Sequence, residues 1–144
     1  MKKLSIFFLF LSSGCVSAQD IPQQNVPAVV VNTFQQKFPQ QRTVEWELKQ
    51  GLYEAEFEIN NLDHTVYIDS SGKIVRYKKE ISVSELPADV NTSIQKNFKG
   101  YKIEDIKKIE EGNSITYKVE LEKKEDERKV TFATDGKIIE NIIN

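Results

Sequence analysis

Two stretches of this chain are versions of one another, and that repetition limits the fold more than any other feature. Residues 52–75 read LYEAEFEINNLDHTVYIDSSGKIV and residues 115–139 read ITYKVELEKKEDERKVTFATDGKII. Tyr53, Phe57, Val66, Ile68 and Gly72 return as Tyr117, Leu121, Val130, Phe132 and Gly136, each 64 positions on. Upstream, Val30, Phe34 and Phe38 follow Pro27 at four-residue spacing, and Val90, Ile94 and Phe98 repeat them 60 positions on, after Pro87. A four-residue period with one apolar stripe predicts a helix, and strict alternation predicts a strand buried on one face. The change of offset from 60 to 64 places a four-residue insertion in the second copy, around residues 110–113, because hairpin tips take up insertions most easily.

Local chemistry bounds these elements. Asn25 or Val26 stands near the N-cap of the first helix, Pro27 fits its first turn and Pro39 forbids its continuation, while Gly100 closes the second helix. Val44, Trp46 and Leu48 then alternate with Glu45, Glu47 and Lys49, and after a turn at Gly51, Tyr53, Ala55, Phe57 and Ile59 alternate with Glu54, Glu56 and Glu58. Asn60 and Asn61 turn into a third strand at about 63–69, and residues 70–73 turn into a fourth, 74–80. In the second copy Ile103, Ile106 and Ile109 begin the sheet less regularly, followed by alternation from Ile115 to Leu121, a charged tip at 123–128, a turn at 134–137 and a last strand, 138–143. Each copy therefore reads as one helix and four antiparallel strands, over residues 26–80 and 81–144, with a linker at 79–86. A helix with one apolar stripe and a sheet with one apolar face bury each other, which predicts an α+β, two-layer tandem domain. The last strand is apolar on both sides, so it is either covered within the fold or open to pairing with another copy.

The N-terminus speaks to compartment. Met1, Lys2 and Lys3 form a basic start, residues 4–11 are an apolar run too short to span a bilayer, and residues 12–18 are small and mostly polar. That layout is a secretory signal peptide at residues 1–18, with Val16, Ser17 and Ala18 placing cleavage before Gln19. The alternative is a lipoprotein anchored through Cys15, although Ser12 stands where such signals carry an aliphatic residue. Either way the mature chain is expected to be periplasmic or secreted and not inserted in the membrane. Cys15 is the sole cysteine, so a chain cut before Gln19 holds no disulfide and depends on its core. Loss of Lys2 and Lys3 takes the formal net charge from −2 to −4, which argues against nucleic acid or an anionic membrane surface as partner. Residues 19–25 are polar and aperiodic, the composition of a short tether.

A helix ending in Phe38-Pro39, the strand Val44-Glu45-Trp46, the run from Tyr53 to Phe57, Val66-Tyr67-Ile68-Asp69 with Gly72 three places on, and Leu86-Pro87 opening a second copy occur in that order. In this arrangement the chain resembles the secreted beta-lactamase-inhibitor-like, PepSY-like family of Gram-negative envelopes, over nearly all of its mature length. It departs from the pattern at Lys99, where proline is common, and at Thr134, where an acidic or small residue is common. The resemblance implies a continuous, curved antiparallel sheet with both helices on one face and the other face open. It implies no reaction, because the family is named for its shape.

The residues themselves do not make an enzyme. His64, the only histidine, lies beside Asp63 with no mature thiol or second imidazole to complete a catalytic or metal constellation, so no catalytic residue, metal or cofactor is expected. Residues 69–72 and 134–137 read as hairpin turns, since a calcium loop needs several spaced carboxylates and a closing Glu. The Asn91-Thr92-Ser93 glycosylation pattern falls inside a helix, and Trp46 alternates in phase with Val44 and Leu48, as a core residue does. What remains is the open face. If Tyr53, Ala55 and Phe57 point to the helices, then Glu45, Glu47, Glu54, Glu56 and Glu58 point away, with Thr65 and Tyr67. In the second copy Thr116, Lys118, Glu120, Glu122, Lys129 and Thr131 share that face. The expected function is a non-enzymatic module that docks a protein or peptide of the envelope or extracellular space, with roles including inhibition of an envelope hydrolase, through Glu45, Glu47, Glu54, Glu56, Glu58, Tyr67 and Lys118. The alternative is a small-ligand or cation sensor built on Glu45, Glu54 and Glu56.

Overall fold

The computed structural model of the protein describes residues 19–144. The signal peptide at 1–18, its cleavage site and the Cys15 alternative lie outside the described residues. Among those residues the strands are β1 (Gln19–Asp20), β2 (Glu45–Lys49), β3 (Leu52–Ile59), β4 (Leu62–Ile68), β5 (Ile74–Glu80), β6 (Lys102–Glu111), β7 (Ser114–Lys123), β8 (Asp126–Ala133) and β9 (Ile138–Ile143). Helices α1 (Ala28–Lys37) and α2 (Ala88–Asn97) precede β2 and β6. The strands form one sheet in chain order, with every neighbouring pair antiparallel.

Both helices cover the same face. Val30 and Phe34 of α1 pack on Trp46, Ala55, Phe57, Val66 and Ile68, while Val90 and Ile94 of α2 pack on Ile106, Tyr117, Val119, Leu121, Val130 and Phe132. The core thus has two lobes, one for each copy. The first is aromatic: Phe34 meets Trp46 edge-on at 5.5 Å and Phe57 at 5.1 Å, and Phe38 lies 4.7 Å from Phe57. The second replaces Trp46 with Ile106, and its Phe98 meets Tyr101 and Phe132 edge-on at 5.8 and 6.2 Å.

Residues 19–25 are not a tether. Gln19 and Asp20 pair with Leu48 and Glu47, and the Ile21 N–H donates to the Trp46 carbonyl at 2.9 Å. Sixty positions on, Lys79 and Glu80 pair with Lys108 and Lys107, and the Ile81 N–H donates to the Ile106 carbonyl at 3.0 Å. Each is followed by a short 3₁₀ turn, Gln23–Asn25 and Val83–Glu85. β1 is therefore the stump of the strand that β5 supplies to the second copy, and the repeat begins upstream of the helix. Pro27 and Pro87 occupy the position just before the first helical residue, not the first turn, with φ near −55° in each. The run 79–86 is likewise ordered: Ser82 and Glu85 form a capping box, and Ile81 and Leu86 are buried in the core.

The insertion lies in the β6–β7 hairpin. Trp46 pairs with Ala55 and its equivalent Ile106 with Val119, but β6 and β7 run two residues further on each arm before turning. The added Glu110 and Glu111 stand opposite Tyr77 and Arg76 of β5. Extra hairpin length thus widens the seam between the copies. The turns at Gly72 and Gly136 tuck under the helices with φ of +88° and +82°; a Cβ at Gly72 would lie 2.7 Å from Val29, and one at Gly136 would strike the Asp89 carbonyl. Asp69 Oδ1 accepts from the Ser71 and Lys73 N–H groups at 2.9 and 3.1 Å, the bonding of an Asx turn.

Trp46 is 3% exposed, and its indole N–H finds no partner among the described residues, so its worth to the fold is apolar burial and ring packing. Trp46→Ala should lower the unfolding free energy by about 3–5 kcal/mol in a denaturant melt. A midpoint that hardly moves would make Trp46 dispensable to the core.

Candidate docking face

Strand alternation and register build the helix-free face in rows. One row crosses Asp20, Glu47, Glu54, Tyr67, Arg76 and Glu111, and the next crosses Glu45, Glu56, Thr65, Lys78, Ile109 and Thr116. Lys107, Lys118 and Thr131 lie in register beyond them. The seven residues expected to bind, Glu45, Glu47, Glu54, Glu56, Glu58, Tyr67 and Lys118, therefore share one face. They do not share one environment. Glu45, Glu56 and Glu58 are exposed, Glu47, Tyr67 and Lys118 are half-buried, and Glu54 is only 6% exposed, as is Thr65.

A buried carboxylate needs partners. The Lys78 ammonium donates to the Tyr67 hydroxyl at 3.2 Å, and burial together with hydrogen bonding to Glu54 pushes the Tyr67 hydroxyl well above the usual phenol range. Burial, then the neighbouring Lys107, pulls the Lys78 ammonium down. The Arg76 guanidinium lies 5.2 Å from the Tyr67 ring centre and binds Glu111 through two bonds, at 3.1 and 3.0 Å. Glu54 and Tyr67 are thus engaged in a network with Lys78, whereas Glu45, Glu56 and Glu58 present their carboxylates outward.

The face is also less acidic than its first copy suggests. Arg76, Lys78 and Lys107 bring positive charge to its centre, beside Lys118 and Lys129. Charge on β1–β3 is mainly negative, whereas β5–β8 carry mixed charge, with Arg76, Lys107 and Lys129 paired to Glu111, Asp105 and Glu120. A period-two reading of β5 from Tyr77 would have found Arg76 and Lys78; the bulge at Val75, which shifts the register between Tyr67 and Ile68, hides it. A cleft of about 650 Å³ opens where the loop after α1 meets the sheet, lined by Arg42, Glu45, Glu56, Glu58, Asp63, Thr65, Lys78 and Lys107 among others.

His64 belongs to the other face. It is 8% exposed, lies between Phe57 and Tyr77, and has Nδ1 at 2.6 Å from the Tyr77 hydroxyl. Burial, then Lys79, pulls its imidazole below the usual value, favouring the neutral ring. Among the described residues no three histidine, cysteine or acidic side chains are grouped to hold a metal ion.

Residues 15–76 and 74–140 each match the family described as "Putative beta-lactamase-inhibitor-like, PepSY-like". The chain belongs to this PepSY-like family. The two matches fall one on each copy, so the family unit is the repeat itself. A crystal structure from Bacteroides eggerthii, described among "putative periplasmic proteins", is similar to this PepSY-like chain with a TM-score of 0.75 and 15% identity, covering 82% of this chain and 88% of that one. A DUF2874 family protein from Bacteroides uniformis gives 0.73 and 20% identity over 81% and 88% of the two chains. A BLIP-like protein from Bacteroides fragilis gives 0.69 and 18% over 81% and 85%. At such identities the likeness shows the fold. No curated protein matches the PepSY-like chain by sequence.

Carboxylates face one another directly across β2 and β3, Glu45 with Glu56 and Glu47 with Glu54. Partial burial, then Glu56, Asp20 and Glu54, raises the Glu47 carboxyl above its ordinary value of 4.5. A carboxyl whose folded pKa lies above its unfolded one costs stability while ionised, and that cost disappears as pH falls through the folded value. Glu47→Gln should therefore raise stability at pH 7 by about 0.2–1 kcal/mol, the scale of one cross-strand pair. Its advantage over the native protein should shrink in melts taken down toward pH 4.5. A variant no more stable at neutral pH would show that the carboxylates do not strain the sheet.

Proposed function

We propose that this PepSY-like chain is a non-enzymatic binding module of the periplasm or extracellular space, and that it docks a protein or peptide segment on the helix-free face of its sheet. The single observation that carries the reading is the block of exposed carboxylates on that face. Glu45, Glu56 and Glu58 stand exposed on the acidic strands β2 and β3 of one preformed surface, beside the mixed charges of β5–β8, which suits a partner that presents cations over the acidic strands. The compartment is supported by the basic and apolar start of the sequence and by the periplasmic description of the Bacteroides eggerthii neighbour. The finer proposal is that the partner is an envelope hydrolase whose active site the module covers. The inhibitor-like description of the family and the BLIP-like neighbour support it at the level of shape.

The test is a crosslinked pull-down from the native envelope with the wild type, Glu45→Lys/Glu56→Lys and Lys118→Glu as baits. Glu54 and Tyr67 are avoided because their burial would mix binding with folding. A protein recovered by the wild type, lost from both charge-reversed baits and bound more weakly at high salt supports docking on this face, provided melting is unchanged or raised. Equal recovery by all three baits moves the site elsewhere. The cleft favours a second reading, because about 650 Å³ is within the range of small-molecule sites and carboxylates line it opposite ammonium groups. In that case a polyamine such as spermidine should raise the melting temperature of the wild type and not of Glu45→Lys/Glu56→Lys.

A further inference from the structure

β9 leaves one edge of the sheet bare. Among the described residues nothing pairs with its outer side, and Ile139, Ile142 and Ile143 are 57%, 41% and 65% exposed. Edge strands are usually blunted by lysine, proline or brevity. β1, at the opposite edge, is two residues long; β9 runs six residues as IIENII, with neither lysine nor proline.

The internal repeat shows what such an edge accepts. β9 is the copy of β5, Arg76 corresponding to Glu140 and Tyr77 to Asn141, and both strands carry the same bulge on their inner side. The outer edge of β5 is filled by β6, antiparallel, from Arg76 opposite Glu111 to Glu80 opposite Lys107. Among the described residues no strand fills the equivalent edge of β9. The Asn144 N–H donates inward to the Glu127 carbonyl at 3.0 Å, so alternation aims the N–H and C=O groups of Asn141 and Ile143 outward.

We propose that this edge is filled by β9 of a second copy, joining two sheets antiparallel about a two-fold axis. The strand is self-complementary. With the axis at Ile142, the outward groups of Asn141 and Ile143 bond reciprocally to those of Ile143 and Asn141 of the other copy. The two Ile142 side chains then meet across the axis on the open face, where a non-hydrogen-bonded pair brings side chains closest. Each Glu140 is set opposite Asn144 of the other copy, so the carboxylates stay apart. β1 offers too few backbone groups to take this place, and such an isologous contact closes at two copies instead of growing into a filament.

The test is the mass of the full chain by light scattering or sedimentation across concentrations up to about 1 mM, the range that detects weak association. The expected result is a reversible shift from one copy to two, abolished by Asn141→Pro, which removes an outward N–H and leaves the β8 ladder intact. Ile142→Lys, at an exposed side chain, should abolish it independently by opposing two cations on the axis. Melting temperature and far-ultraviolet dichroism report that each variant is folded. A monomer at every concentration overturns the proposal, and so does a dimer that survives both variants in folded form.

Discussion

The antiparallel seam between β5 and β6 holds the two halves of this molecule in one architecture. Each copy closes its own core, one lobe under α1 and one under α2, and neither core reaches into the other. What joins them is the run of backbone pairs from Arg76 opposite Glu111 to the bond from Ile81 to Ile106, edged by the two-bond ion pair of Arg76 with Glu111. Both helices lie on one face because strand register passes unbroken through this seam: Tyr77, Lys79, Lys108 and Ile106 point the same way. The four-residue insertion in the second copy acquires a physical meaning here, since Glu110 and Glu111 supply part of the pairing that β5 uses.

The seam also shapes the open face. By placing β5 and β6 at the centre of the sheet it sets Arg76, Lys78 and Lys107 against the carboxylates of β2 and β3. Strands β2 and β3 alone would set like charges across from one another, each unfavourable pair costing roughly tenths of a kcal/mol. In the whole sheet the buried carboxylate of Glu54 is reached through Tyr67 and Lys78, and the outer carboxylates remain available. Exposed charges on one preformed face steer encounter and set orientation more than they supply raw affinity.

Much of the fold was legible in the sequence because helix and strand periods are local. Val30, Phe34 and Phe38, the alternations about Trp46 and Phe57, and their second occurrence placed both helices and eight strands on chemistry visible within a few residues. The ninth strand was not visible: Gln19 and Asp20 are polar and short, and only their pairing with Glu47 and Leu48 makes them a strand. The candidate face was half legible. Glu45, Glu56 and Glu58 alternate cleanly and stand outward, whereas the bulge at Val75 broke the pattern that would have revealed Arg76 and Lys78.

By itself, then, the sequence determined the repeat, its elements, the core positions and the face on which each acidic residue of β2 and β3 lies, because period and turn chemistry act over a few residues. The tertiary structure decided which strands sit beside one another, and with that everything that depends on neighbours distant in the chain. Glu54 and Glu56 are two residues apart and chemically alike, yet one is buried beside Tyr67 and the other exposed. His64, two places from Val66, lies on the helix side in contact with Tyr77. Burial and charge environment are properties of the assembled sheet, fixed by cross-strand partners that no local pattern encodes.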